Sequence, residues 1–376
     1  MRDGIYLAET QAERNAVFAL RYAIYVEEMG RLGDIADHEK QHLVEAADAH
    51  GRLYLAVVDG EPVGTMRLSW GGDPGAVSAQ MRALYETDIF AGVIDDAQLL
   101  IGERLMVQTS QRGTDLAMRM LAELGRFMVT KGAEVLFLEC EPHLINLYLR
   151  LGMRPYTRTK NYPGIGLVVP MVLLGHDLAH LKRTGSLYWA IFQAAPPSDA
   201  ERVAAQVKKL DNVSAMVSRE STPRAHFMAE VLAGLAEKKT ATPAIFDALS
   251  EAQIEMLVAR SHIFEVQAGD HLVLDGGAAR SLFVVLGGVV EIYKDGVLLG
   301  VQMPGDVFGE FAFLLGLPRT ADVIAGSDVR VLCLSEANLL KLQAKEPALS
   351  SQFMLNLSRC ICQKLLELRQ TFLTSL

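Results

Sequence analysis

The sequence predicts mixed strands and helices in an α+β or α/β layer, a helical connector, and a small all-β barrel or jelly roll that runs into a C-terminal helix. Three observations carry this. Residues 1–180 alternate strand-like and helical hydrophobic periods. Residues 181–243 hold few strand formers and no glycine cluster. From residue 244, short apolar runs are separated by Gly269-Asp270, Asp275-Gly276-Gly277, Gly287-Gly288, Asp295-Gly296 and Pro304-Gly305. Such turn spacing marks a small all-β domain. The expected domains are therefore 1–180, 181–243 and 244–376, in keeping with 376 residues at roughly 150 per domain.

In chain order, residues 10–30 read as an amphipathic helix, with Phe18, Tyr22, Tyr25, Val26 and Met29 at helical spacing. Residues 53–58 and 63–68 flank Asp59-Gly60, a dipeptide that tolerates the positive φ of a tight hairpin. Strands are expected at 99–107, 135–139 and 166–174, and helices at 114–130 and 144–151. In the connector, Pro196-Pro197-Ser198 opens a helix over 199–210, and 227–239 forms a second. The terminal helix, 350–372, carries Phe353, Leu357, Ile361, Leu365 and Leu368 on one face.

Composition excludes several classes. Lys and Arg number 36 against 45 Asp and Glu, a net charge of −9, which argues against a nucleic-acid-binding surface. The chain is 50% hydrophobic and 22% charged, too apolar for general disorder. Cys140, Cys333, Cys360 and Cys362 are scattered in apolar sequence and read as buried free thiols of a reducing compartment. The opening residues hold no apolar signal core, and the apolar run 165–174 is too short to span a membrane. The expected compartment is the cytoplasm.

Phe308-Gly309-Glu310-Phe311-Ala312-Phe313-Leu314 and Pro318-Arg319-Thr320-Ala321 are the most informative runs. Gly309 and Ala312 allow close backbone approach to a ligand. A short helix beginning near Glu310 would turn backbone N–H groups toward an anion. Arg319 offers a forked cation for phosphate oxygens. Glu310 can accept from a sugar hydroxyl. With Ala268-Gly269-Asp270, the run 282–290 and Pro304-Gly305-Asp306, this region resembles the cyclic nucleotide-binding domain family. The resemblance implies that Glu310 binds the ribose 2′-hydroxyl and Arg319 the cyclic phosphate. Backbone around Gly309, Phe311, Ala312, Thr320 and Ala321 completes the cradle, and the terminal helix closes over the base. The expected ligand is cAMP, with cGMP as the other candidate. The alternative is a vestigial roll in which Arg319 merely pairs with Glu310. No helix-turn-helix follows the lid helix, which argues against a transcription factor.

The second constellation is Glu103 to Val107, a strand running into Gln111-Arg112-Gly113-Thr114-Asp115-Leu116-Ala117, then Asn146-Leu147-Tyr148 and Leu151-Gly152-Met153. A strand, turn and helix start in that order present amides to a pyrophosphate or phosphopantetheine. These motifs resemble the GNAT acyltransferase superfamily. The helix containing Arg21-Tyr22-Ala23-Ile24-Tyr25-Val26-Glu27-Glu28-Met29, together with Asp48-Ala49-His50 and Gly64-Thr65-Met66-Arg67-Leu68, resembles N-acyl amino acid synthases and acyl-homoserine-lactone synthases. The resemblance implies a donor site of Met106, Val107, Arg112, Gly113, Thr114, Leu116, Ala117 and Asn146. It implies Tyr148 as general acid to the leaving thiolate. Asp115 stands where the family has its first loop glycine; a carboxylate there repels pyrophosphate, so both acyl-CoA and acyl-carrier protein are candidate donors.

The reaction needs a carboxylate to take the proton of the attacking amine, directly or through water, and Glu103 is the candidate. The oxyanion needs a strand amide near Met106 or Val107. The plain alternatives are that Glu103 is a surface strand residue and that Tyr148 packs beneath the sheet. His176 and His180 share a helical face without a third ligand, so no metal is expected. His38 and His42 lie in an acidic stretch, 34–45, read as a solvated loop or substrate flap. Met118, Met120 and Met128 read as adaptable core.

Together these observations predict an N-acyltransferase moving an acyl group from a thioester to a small amine such as an amino acid, regulated by cyclic nucleotide. Rival readings are a cAMP-regulated protein lysine acetyltransferase and a non-catalytic nucleotide sensor. The expected partners are the nucleotide and the acyl donor, with no nucleic acid. Apolar faces on the connector and last helix are compatible with a homodimer.

Overall fold

The computed structural model describes residues 1–157, 159–162, 165–195, 216–217, 244–258, 261–277 and 280–374. The expected connector helices at 199–210 and 227–239 lie outside these residues. The chain divides into two units, residues 1–157 with 168–214 and residues 158–167 with 215–376.

The first unit opens with β1 (Gly4–Leu7) and α1 (Gln11–Arg21). Thr10 caps α1, accepting from the Glu13 amide at 3.2 Å, while Glu13 Oε2 accepts from the Thr10 amide at 2.9 Å. Such a reciprocal box is worth about 1 kcal/mol. After Arg21 the expected continuous helix widens into a π-helix, Tyr22–Glu28. The extra residue per turn shifts the later side chains relative to the stripe of α1.

Then come β2 (Arg52–Val58), β3 (Glu61–Trp70), α2 (Ala79–Leu84), β4 (Leu99–Val107), α3 (Leu116–Lys131), β5 (Val135–Cys140), α4 (Ile145–Arg150) and β6 (Arg154–Pro155). β7 (Lys160–Tyr162), in the segment 158–167 assigned to the second unit, precedes β8 (Gly166–Leu174), α5 (Leu178–Thr184) and α6 (Leu187–Gln193). The predicted hairpin is present: Asp59 (φ 53°) and Gly60 (φ 79°) join β2 to β3, with Val58 opposite Glu61. Both central residues have positive φ, so the turn twists with its strands.

The sheet order is β1-β2-β3-β4-β5-β8-β6. Its neighbours are antiparallel except β4 and β5, which are parallel. β8, the longest apolar run, is buried throughout. No helix among the described residues is long and apolar enough to cross a membrane. Met120 and Met128 are core, whereas Met118 lies on the outer face of α3 and is 36% exposed.

Among the described residues the second unit holds two sheets. One is ordered β15-β12-β17-β10-β9, the other β11-β16-β13-β14. Their strands are β9 (Met216–Val217), β10 (His262–Val266), β11 (His271–Val273), β12 (Ser281–Gly287), β13 (Val290–Lys294), β14 (Val297–Gln302), β15 (Val307–Phe308), β16 (Asp322–Ala325) and β17 (Val329–Ser335). Period-two alternation along β12 sends Leu282, Val284 and Leu286 to one face, where they meet Ile263, Phe353 and Leu357. Its α-helices among the described residues are α7 (Glu251–Val258), α8 (Glu310–Leu315), α9 (Glu336–Lys345) and α10 (Pro347–Thr374).

α10 is docked by Phe353 and Leu357, both buried, and by Asn356, whose amide donates to the carbonyls of Ile245 and Asp247 at 3.2 and 2.7 Å. All four cysteines are free thiols, but the expectation that all are buried is corrected. Cys140 and Cys333 are buried, Cys360 is half-buried and Cys362 is exposed, because the outer face of α10 is uncovered.

Candidate functional sites

In the first unit the geometry centres on β4. Its register against β3 shifts: Thr65 opposes Met106, yet Arg67 opposes Glu103. Arg104 and Leu105 therefore share the place opposite Met66, and Arg104 adopts φ 55°. Such a bulge bends the strand that carries it. β4 pairs with β5 only at Leu99, Leu100 and Ile101, whereas β5 continues pairing with β8 as far as Cys140. Beyond Ile101, β4 and β5 part.

The Gln108 amide donates to Val63 O at 2.8 Å, so it faces β3. Because amides alternate along a strand, the Met106 amide faces β3 too, and that of Val107 faces the opening. The Met106 side chain is buried against Leu20 and Ile24, with Tyr25 and Met29 beside it.

Beside the bulge lies a charge network that sequence reasoning missed. Arg67 Nη1 reaches Asp48 Oδ1 at 2.8 Å and Glu45 Oε2 at 3.0 Å, and its Nε donates to Glu103 Oε2 at 3.0 Å. Arg21 Nη1 forks onto Asp48 at 2.8 and 2.9 Å. Arg104 binds Glu45 through Nε at 2.7 Å and through Nη2. Tyr85 donates to Glu103 Oε1 at 3.2 Å.

Arg21 and Arg67 are buried, as is Asp48. Burial acts against the Glu45 carboxylate, but its bond to Arg104 and the nearby arginine charges outweigh it and hold the group down to about 2. Asp48 is also lowered: burial opposes, and the Arg21 and Arg67 charges prevail. The acidic stretch expected to be solvated thus ends in Glu45 turned inward. The available signal was three arginines set in apolar strand or helix sequence, each needing an acidic partner once buried.

Glu103 is part of this network and is not a surface strand residue. Period two places it on the face of Leu99 and Ile101, beneath Tyr85. Tyr148, in α4, is buried, and burial pushes its phenol well above the ordinary value, with the neighbouring Cys140, Tyr25 and Glu141 adding to the rise. Tyr25 bridges toward the bulge, taking a hydrogen bond from Arg104 Nη1 at 3.4 Å. Arg31 forks onto Glu141 at 2.9 and 3.2 Å at the end of β5.

The loop from β4 to α3 is exposed and pinned by the π-helix. Glu28 pairs with Arg112 at 2.5 Å and accepts from Thr109 at 3.0 Å. Arg112 Nε also donates to Val107 O at 3.3 Å. Gly113 takes φ 86°, Thr114 Oγ1 accepts from the Leu116 amide at 3.3 Å, and Leu116 is buried at the start of α3 with Ala117 after it. The Asp115 side chain is 77% exposed and turned toward Arg119 at 4.0 Å. Asn146 belongs to α4; its side chain lies outside the described residues. Among the described residues no group of three or more potential ligands could hold a metal.

In the second unit, Gly309 turns the chain from β15 into α8 with φ 82°. A Cβ there would stand 2.4 Å from Arg319 Nη1 and 2.7 Å from Ser281 O. Arg319 is buried, donates to Gly309 O at 3.1 Å, and lies 5.6 Å from the centre of the Phe283 ring. Its backbone is bracketed by Gly276 and Gly277 at 2.8 Å each. Glu310 and Ala312 are buried, Phe311 and Thr320 exposed, and Ala321 half-buried. The ion pair of Glu310 is made with Lys364 of α10, at 3.3 Å.

Comparison with known proteins finds two family matches in separate parts of the chain. The family profile "N-acyl amino acid synthase FeeM" matches residues 16–177, and "Cyclic nucleotide-binding domain" matches 263–346. A cGMP-dependent protein kinase, egl-4, of Caenorhabditis elegans is 35% identical over 89 residues, 24% of this chain and 11% of the kinase. The Pycsar effector protein XpPycTIR of Xanthomonas perforans is 28% identical over 111 residues, 29% of this chain and 37% of the effector. The chain thus spans a minor part of these curated relatives. A cyclic nucleotide-binding domain from Methylobacillus flagellatus KT matches at TM-score 0.34 and 22% identity, over 41% of this chain and 85% of that one. Residues 16–177 thus match the N-acyl amino acid synthase FeeM family, and residues 263–346 match the cyclic nucleotide-binding domain family.

Proposed function

We propose that the protein transfers an acyl group from acyl-CoA or acyl-carrier protein to the amine of a small molecule such as an amino acid, under control of cyclic nucleotide. The observation that carries the reading is the parting of β4 from β5 beyond Ile101, next to the Arg104 bulge; Glu103 and Tyr148 are proposed to serve this opening. A thioester carbonyl lying in this opening meets the outward Val107 amide, with Met106 behind it. The neutral amine attacks, an N–C bond forms and the carbonyl oxygen takes negative charge. Glu103, through water, removes the ammonium proton. The C–S bond then breaks and Tyr148, kept protonated by burial, supplies a proton to the thiolate. Arg112, Gly113, Thr114, Leu116, Ala117 and Asn146 hold the donor.

In the second unit, Gly309, Glu310, Phe311, Ala312, Arg319, Thr320 and Ala321 form the nucleotide site. Arg319 meets the cyclic phosphate and Glu310 the ribose. cAMP is the proposed ligand; several relatives are named cGMP-dependent kinases, so cGMP belongs beside it in the assay. α10 exposes Leu355, Leu365 and Leu366, a face suited to a homodimer, and the proposed compartment is the cytoplasm.

The test is mass spectrometry of lipid extracts from expressing cells, followed by transfer rate against cAMP and cGMP concentration. A new N-acyl species that disappears with Tyr148→Phe supports the synthase, and its absence rejects it. A rate that responds to nucleotide in the wild type but not in Arg319→Ala supports regulation. A flat response with nucleotide bound rejects it.

A further inference from the structure

We propose that Tyr188 of α6 is a positioning residue for the leaving-group step: its hydroxyl donates, directly or through one water, to the Tyr148 oxygen as Tyr148 passes its proton to the departing thiolate. The inference rests on the acyltransferase reading above. Tyr188 lies beyond residues 16–177, the stretch that matches the synthase family. Two contacts fix it. Ser186 caps α6, accepting from the Tyr188 amide at 3.1 Å, and its own hydroxyl donates to Leu151 O. Leu151 follows Tyr148 by three residues, about one helical turn. One buried serine hydroxyl therefore joins the Tyr188 backbone to the turn that carries Tyr148. The Tyr188 ring lies against Gly125 of α3, where a Cβ would stand 2.7 Å from it, so the glycine gives the ring its seat.

Tyr188 is fully buried, and its hydroxyl has no hydrogen-bond partner among the described residues. A buried tyrosine ordinarily finds one. Burial pushes the Tyr188 phenol well above its ordinary value, and the charge of an ionised Tyr148 adds to the rise, so the two phenols lie within electrostatic reach. The leaving-group step needs such a donor. Burial keeps Tyr148 protonated, but the same burial makes its tyrosinate costly. As the C–S bond breaks, Tyr148 gives up its O–H bond, an S–H bond forms, and negative charge remains on the phenol oxygen. A phenol oxygen accepts while its own proton leaves. Tyr188 donates to it and keeps its own proton. The bond is stronger to the tyrosinate than to the neutral phenol, so it favours the transfer over the resting state. Solvent returns a proton to Tyr148 after the thiol departs.

The experiment is a double-mutant cycle on the full chain: wild type, Tyr188→Phe, Tyr148→Phe and the double variant. Mass spectrometry follows N-acyl product, with medium- and long-chain acyl-CoA and acyl-carrier-protein donors and the protein amino acids as acceptors. Tyr188→Phe is expected to lower kcat about tenfold, to leave KM for the donor unchanged, and to cost nothing further in the Tyr148→Phe background. Its melting midpoint by circular dichroism should hold or rise, since the change removes a buried hydroxyl without a partner. Three results overturn the proposal and leave Tyr148 as the acid: a Tyr188→Phe rate within twofold of wild type, a loss that recurs in full without the Tyr148 hydroxyl, or a lowered midpoint. A Tyr148→Phe rate equal to wild type rejects Tyr148 itself. A wild type that transfers from no donor rejects the acyltransferase reading. Either result takes this inference with it.

Discussion

Arg67 and Glu103 face each other directly across β3 and β4, with Arg67 Nη2 3.0 Å from Glu103 Oε2. The pair sits immediately before the register shift that bends β4, so the network anchors the strand at the point where it leaves β5. Arg67 alone touches Glu45, Asp48 and Glu103.

Removing Arg67 leaves three carboxylates without their shared cation. Arg67→Met is expected to destabilise the first unit by about 3–5 kcal/mol. Arg67→Lys should rescue little, since one ammonium cannot reproduce the fork. Trp70 and Trp189 are the only tryptophans, and both lie in the first unit, so tryptophan fluorescence during urea unfolding reads this unit. A midpoint unchanged by Arg67→Met would show that the network is not structural.

Glu45 should make the first unit acid-sensitive. Its carboxyl falls from 4.5 to about 2 in the folded protein. The stabilisation is therefore complete above the unfolded value near 4.5 and is lost as pH falls toward 2. Its size is about 3 kcal/mol. Thermal melts followed by tryptophan fluorescence between pH 6 and 2 should show a fall that Glu45→Gln flattens. Parallel slopes in the two proteins would contradict it.

Tyr148→Phe removes one hydroxyl from a buried side chain and keeps its packing. If the phenol protonates the leaving thiolate, kcat should fall about 100-fold, with the unfolding midpoint nearly unchanged. A rate within twofold of wild type would assign Tyr148 to packing alone.

Gly309→Ala places a methyl group against Arg319 Nη1 and Ser281 O at a backbone angle that side chains avoid. The left-handed conformation alone costs about 1–2 kcal/mol, so nucleotide affinity should drop about tenfold or more by calorimetry. Unchanged affinity would mean that the turn relaxes without moving Arg319.

Local features were readable from the chain because they depend on neighbours in sequence. Asp59-Gly60 and Asp295-Gly296 both form hairpin turns with positive φ, as their dipeptides require. Gly309, Glu310 and Arg319 lie within eleven residues, so the nucleotide cradle is visible as a motif. The helix read over 10–30 keeps Phe18 and Tyr22 buried, but Tyr25, Val26 and Met29 are only half-buried, because the chain winds as a π-helix after Arg21.

What only the tertiary structure decided is the pairing of distant charges. Arg21, Glu45, Asp48, Arg67, Glu103 and Arg104 are spread over more than eighty residues, and no spacing rule joins them. Glu103 could be assigned to the inward face only once β3 stood beside β4 in register. Lys364 met Glu310 only once α10 had docked its apolar face on the β-roll. Local backbone preference and motif chemistry are written in adjacent residues, whereas the partner of a buried charge is chosen by which strands and helices pack together, since burial is what makes the partner necessary.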